Sequence, residues 1–187
     1  PDIVEELLND KSVDVGRRND KGDTYLHLSI EGESVTPIHR LLLNHPSIDI
    51  NSSNSNNETP LVKAVKCKNK ELVELILNHP KYDSSLSLLD YAFMLSVKSK
   101  DIFMVLIKVK SLDVNYFHVY QKRNENTYSL QHIVNEVFTT PLIEATKNGD
   151  LEIIKAIINH PSFDQNRSHI LSCLFIAIRK NNSNLFK

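Results

Sequence analysis

The stretch Glu58–Asp83, ETPLVKAVKCKNKELVELILNHPKYD, returns 81 residues later without a gap, as TTPLIEATKNGDLEIIKAIINHPSFD over Thr139–Asp164. Thr, Pro, Leu, Ala, Lys, Glu, Ile, Asn, His, Pro and Asp recur at equivalent places, and most other apolar positions stay apolar. A chain that copies itself at this length is built from units that stack.

The copied unit reads as two helices. Thr59-Pro60 predicts a helix start, because a Thr hydroxyl satisfies an otherwise orphan amide and Pro is preorganised for the first helical position. Leu61, Ala64 and Val65 then fall at helical spacing. After the polar Lys66–Lys70, a second helix over Glu71–Asn78 carries Leu72, Val73, Leu75, Ile76 and Leu77. These are too many for one narrow stripe, so that helix has to be covered on more than one side. His79-Pro80 ends it, since Pro disfavours helical geometry in the residue before it and supplies no amide. Two short helices cannot bury this surface against each other alone, so each unit needs neighbours. At about 1.5–3 kcal/mol for each buried Leu, Ile or Val, stacking supplies most of the stability.

T-P-L, a short helix, a polar turn, an L-V-x-L-I-L helix and an extended linker, at a period of roughly 33 residues, resembles the ankyrin repeat. The motif is specific at Thr59-Pro60-Leu61 and Thr140-Pro141-Leu142. One departure is consistent: where that family usually ends the second helix with Gly, this chain has Asn-His-Pro. The resemblance implies an all-α fold, a helical-repeat solenoid of ankyrin type with short β-hairpin or turn fingers between helix pairs. It also implies binding of a partner protein through the concave face made by the fingertips and the exposed side of each first helix.

In chain order, residues 1–14 match a second helix and its exit turn, with Ile3, Val4, Leu7 and Leu8 at the core positions. The chain is therefore expected to start inside a repeat, as an excised fragment. A repeat follows over 20–50, opening on Thr24-Tyr25-Leu26-His27; Thr36-Pro37-Ile38-His39 sits too close to the leucine run to start a repeat and reads as a cap on helix two. The reference repeat covers 55–83. A degenerate one covers 87–113, where Ser87 and Asp90 form a variant capping box. From Asp113 to Thr140 the gap is 27 residues, against ten from Asp14 to Thr24 and from Asp49 to Thr59. About 17 residues are inserted over 114–138, and aromatic and β-branched residues on both sides of the polar Lys122–Asn126 read as a hairpin finger. Ser129–Phe138 reads alternatively as a short helix. The near-copy fills 139–164, and 169–187 is a partial repeat with Leu174, Ala177 and Ile178 on a first helix and Leu185 and Phe186 opening a second. The whole reads as a single array.

Lys plus Arg is 22 and Asp plus Glu is 23, with the signs interspersed. That balance disfavours nucleic acid or an anionic membrane surface as the main partner. No apolar run approaches a membrane span and no signal peptide opens the sequence, so no membrane insertion and an intracellular, cytoplasmic location are expected. Cys67 and Cys173 lie in units three repeats apart, too distant to pair.

No constellation for catalysis or for a cofactor is present. H-E-x-x-H, paired C-x-x-C, G-x-S-x-G and a phosphate-cradling Gly run are missing. His45, His79 and His160 hold one equivalent position, too far apart for a shared metal, and are expected near the last carbonyls of their helices. By the resemblance, His27 ties to Thr24. Asp14, Asp49, Asp83, Asp113 and Asp164 recur by register and predict a shared turn in which the carboxylate bonds nearby amides.

The expected function is a protein–protein interaction module and not an enzyme, with another protein and the flanking repeats of a longer chain as partners. Candidate contacts are Arg17 and Lys21 on the first fingertip, Asn54 and Asn56 on the second, and Tyr116, His118, Tyr120, Lys122, Arg123 and Tyr128 on the long finger. Tyr is favoured there because it offers a large amphipathic contact at low entropic cost. The alternative is a structural spacer, or the regulatory region of a larger protein whose activity lies outside these residues.

Overall fold

The computed structural model describes residues 2–10, 13–122 and 135–181. They fall into two compact units, residues 1–111 and 112–187.

The first unit holds α1 (Asp2–Asn9) and three helix pairs: α2 (Tyr25–Ser29) with α3 (Pro37–Asn44), α4 (Pro60–Lys66) with α5 (Lys70–Leu77), and α6 (Leu89–Ser96) with α7 (Lys100–Leu106). First helices pack on first helices, α2 on α4 and α4 on α6, while α5 packs on α7. Leu61, Val62, Leu72, Val73 and Ile76 are fully buried, as are Phe93 and Phe103, whose rings lie 4.8 Å apart between α6 and α7. The second unit holds an antiparallel hairpin, β1 (His118–Lys122) with β2 (Asn135–Thr139), and then α8 (Pro141–Asn148), α9 (Leu151–Ile158) and α10 (Ile170–Asn181). Here α8 packs on both α9 and α10.

The copied sequence makes copied contacts. Thr59 Oγ1 accepts from the Val62 amide at 3.3 Å and donates to the Ser87 carbonyl at 2.7 Å, so one hydroxyl caps α4 and ties it to the next repeat. Thr140 repeats this with Ile143 at 3.2 Å and Ser168 at 3.5 Å. Asn69 and Asp150 cap the second helices, accepting from the Leu72 amide at 3.0 Å and the Ile153 amide at 3.1 Å. Lys68 and Gly149 both take the left-handed conformation that closes the first helix.

The recurring aspartates do share a turn. Each carboxylate accepts the amide two residues on: Asp14 from Gly16, Asp49 from Asn51, Asp83 from Ser85, Asp113 from Asn115 and Asp164 from Asn166, at 2.8–3.0 Å. Next to two of these turns stands a clamp. Asn51 donates to the Lys81 carbonyl at 2.7 Å and accepts from the Asp83 amide at 3.0 Å. Asn115 does the same to Ser162 and Asp164.

Several expectations need correction. His79 does not close its own helix: Nε2 meets the Leu43 carbonyl at 2.9 Å, at the end of α3, while Nδ1 accepts from the Lys81 amide. The Asn-His-Pro turn thus joins one repeat to the one before it. Ser87 does not cap α6. Its hydroxyl meets Tyr82 and the Ser84 carbonyl, and α6 begins after Leu88 in the left-handed conformation, with no side-chain cap. Thr36-Pro37-Ile38-His39 caps α3 as expected, and His39 also reaches the Ser29 carbonyl at 2.9 Å. The helical alternative fails for residues 135–138, which lie in β2; residues 129–134 lie outside the described residues.

Both terminal helices carry exposed apolar residues. Ile3 is 78% and Leu7 56% exposed, because no described residue covers that face of α1. Helix α10 starts at Ile170, its register set by the left-handed His169 as α6's is by Leu88. Cys173 is therefore its inward residue, and Leu174, Ala177 and Ile178 are exposed. Among the described residues no helix is long and apolar enough to cross a membrane.

Candidate partner-binding surface

The first two fingertips are tight turns held from within by an Asn. Asn19 Oδ1 accepts the Lys21 and Asp23 amides, both at 2.9 Å. Asn54 Oδ1 accepts the Asn56 and Glu58 amides, both at 3.0 Å. The amide side of Asn54 donates to Asp23 Oδ1 at 2.7 Å, joining the two turns. Backbone and arginine add to the joint: the Ser55 amide donates to the Lys21 carbonyl at 2.9 Å, and Arg18 donates to the Ser53 carbonyl at 2.5 Å. Gly22 is needed at this contact. Its φ is +72°, and a Cβ there would lie 2.9 Å from the Ser55 nitrogen.

Electrostatics follow from the same bonds. The hydrogen bond from Asn54 holds the Asp23 carboxyl below its ordinary range, against a smaller opposing effect of burial. The Lys66 ammonium, 2.5 Å from Glu58, does the same for that carboxyl. Behind the turns, His27 Nδ1 lies 2.8 Å from Thr24 Oγ1 and Nε2 lies 3.0 Å from the Glu58 carbonyl. Its side chain is fully buried, and burial pushes its pKa down. The tie to Thr24 is present, and the same ring also supports the second fingertip.

The candidate residues divide by this geometry. Arg17, Lys21 and Asn56 are exposed on the joined turns, whereas Asn54 is buried and committed at both ends of its side chain. Tyr116 and His118 stack with ring centres 6.5 Å apart at the base of the long finger, both half-buried, and Phe117 between them is exposed. Tyr120 and Lys122 lie in β1, paired through the backbone with Val137 and Asn135. Arg123 and Tyr128 lie outside the described residues. Arg17, Lys21 and Asn56 belong to the first unit and Tyr116 to Lys122 to the second.

Two residues of this face escape a motif-based reading. Tyr25 is 40% and Leu28 44% exposed on the outer side of α2. With Arg17, Arg18, Asp20 and Asp23 among others they line a cleft of about 280 Å³ beside the first turn. The signal that finds Leu28 is positional: four residues after the opening Thr, the other T-P-L repeats hold a charge, Lys63 and Glu144. A leucine there faces water without a core to enter.

Residues 1–90 match the family model of ankyrin repeats, in three copies. These residues are ankyrin repeats. No curated protein matches the chain. Ankyrin repeats are in general protein–protein interaction modules without catalytic activity of their own. In this chain the ankyrin helix pairs are α2–α3 and α4–α5, and the α8–α9 pair repeats both helix caps of the second.

Proposed function

We propose that this chain binds a partner protein through its fingertip turns and the outward side of its first helices. The observation that carries this reading is how the first two turns are built. Their backbones are fixed to one another by Asn54, Ser55 and Arg18, while Arg17, Lys21 and Asn56 remain outside, exposed on a preorganised frame. A frame of this kind lowers the ordering cost of association, because little backbone has to be immobilised on binding. Nothing in the stacking of the helices calls for those side chains.

The long finger is a second contact in the same reading. A two-stranded hairpin is marginally stable by itself, so its exposed Phe117 and Val119 favour use of the surface by a partner. One array over residues 1–187 is the arrangement that the 81-residue copy supports.

The test is site-specific photo-crosslinking. A crosslinker at Lys21, Asn56 or Phe117 is expected to trap a protein from a cell extract, and one at Glu71 or Glu74 on α5 is not. Replacing Tyr116–Val137 by a short flexible linker is expected to keep helical content and cooperative melting while weakening capture. Equal trapping from α5 would overturn the choice of surface. Trapping from no position would favour a spacer.

A further inference from the structure

The cleft beside the Asn19–Asp23 turn is lined by groups of two kinds. Some are committed to the fold: Arg18 donates to the carbonyls of Ser53 and Gly22, and Asp23 is buried and accepts from Asn54. The side chains of the others make no hydrogen bond or ion pair among the described residues. Arg17 and Asp20 are exposed charges at the rim, and Tyr25 and Leu28 offer apolar surface at the wall. Apolar wall and charged rim together describe a place for a side chain from outside.

Charge decides what kind. The segment Arg17–Asp23 carries Arg17, Arg18 and Lys21 against Asp20 and Asp23, and Asp23 is withdrawn from solvent. Three cations therefore stand against two carboxylates, of which only Asp20 is exposed, and the segment keeps a net positive charge. Lys63 on the neighbouring α4, whose ammonium reaches the His27 carbonyl, adds a fourth positive group close by. A guanidinium with free donors beside an apolar wall suits a carboxylate one or two residues from an apolar anchor, because Arg binds carboxylates in a fixed bidentate fork. A cavity of about 280 Å³ holds one large side chain.

We propose that this cleft docks an acidic segment of a partner protein, which inserts one large apolar side chain between Tyr25 and Leu28 and sets an adjacent carboxylate on Arg17. The proposal rests on the interaction reading above and names the chemistry of its partner. The rigid frame serves it directly: the bonds from Arg18 and Asn54 hold the rim in place, and Gly22 lets the two turns meet closely enough to form it.

Three labelled peptides test this against the whole chain: one Phe between Glu residues, the same with Lys in place of Glu, and the Glu peptide with Ser in place of Phe. The expected result is that the Glu–Phe peptide binds at least ~10-fold tighter than either other, with amide shifts at Tyr25 and Leu28 in NMR spectra. Its affinity falls as salt rises. Leu28→Ser is expected to weaken it about 10-fold with unchanged melting, since Leu28 supports no core. Arg17→Glu is expected to turn the preference toward the Lys peptide. No shift at Tyr25 and Leu28 with any peptide, equal binding of the three, or binding untouched by both variants would overturn the proposal. If crosslinking at Lys21 and Asn56 still traps a protein in that case, the interaction reading stands and only the cleft is wrong.

Discussion

At the scale of single residues, the two copies of the T-P-L repeat offer an internal control. Lys68 sits at φ +56° where Gly149 sits at +77°, and both end a first helix. A side chain in that conformation costs roughly 1 kcal/mol, which Gly avoids. Lys68→Gly is therefore expected to raise the urea midpoint by the equivalent of about 0.5–1 kcal/mol, and Gly149→Ala to lower it. Gly22→Ala meets both a positive φ and the Ser55 backbone, so a loss of about 1–3 kcal/mol is expected, with faster hydrogen exchange at the Ser55 amide. His27 makes a prediction about pH. Burial lowers its folded-state pKa below the ordinary 6.5, so the unfolded chain takes up the proton first as pH falls. The stability contributed by the neutral ring is full above pH ~6.5 and is lost progressively below it. His39, buried and shifted the same way, adds to this. Urea midpoints at pH 7.5 and 5.5 are expected to differ in the wild type and to differ less in His27→Gln; equal differences would contradict this.

At the scale of elements, the threonine that opens each of the two T-P-L copies does two jobs, and the copies differ in one of them. Thr59→Val removes the cap on α4 and leaves the Ser87 carbonyl without its donor, an expected loss of about 1–2 kcal/mol. Thr140→Val is expected to cost less, because its bond to the Ser168 carbonyl is longer, 3.5 Å against 2.7 Å. Guanidinium melts of the two variants compare them directly. What was legible in the sequence follows the same line. Helices α4, α5, α8 and α9 could be read because T-P-L, the apolar run and Asn-His-Pro each state a boundary in residue type. The start of α6 could not, since a leucine in the left-handed conformation has no signature, and α10 inherits the same difficulty from His169. The role of His79 was half legible: its register marked it as structural, while its partner, the Leu43 carbonyl, is made adjacent only by stacking. The cleft left one signal in the sequence, Leu28 where the two T-P-L repeats carry Lys63 and Glu144, and its rim left none, because Arg18 and Asn54 look like ordinary surface residues until the turns meet.

At the scale of the molecule, formal charge is almost balanced, 22 against 23, yet the first fingertip is locally cationic, so association with an acidic partner is expected to slow as salt rises. The larger claim concerns stability. Within the first unit α4 packs on α6 as well as on α5, α5 packs on α7 as well as on α4, and Thr59, Asn51 and His79 carry bonds from one repeat to the next. No repeat is self-sufficient in this account. Ile76, fully buried on α5, is the residue at which to test it. Native-state hydrogen exchange of Ile76→Ala, which removes about 2–5 kcal/mol of packing, is expected to show protection falling together in α3, α4, α5 and α7. A loss of protection confined to α5, with its neighbours at wild-type values, would contradict the claim that the helix pairs are stable only as a stack.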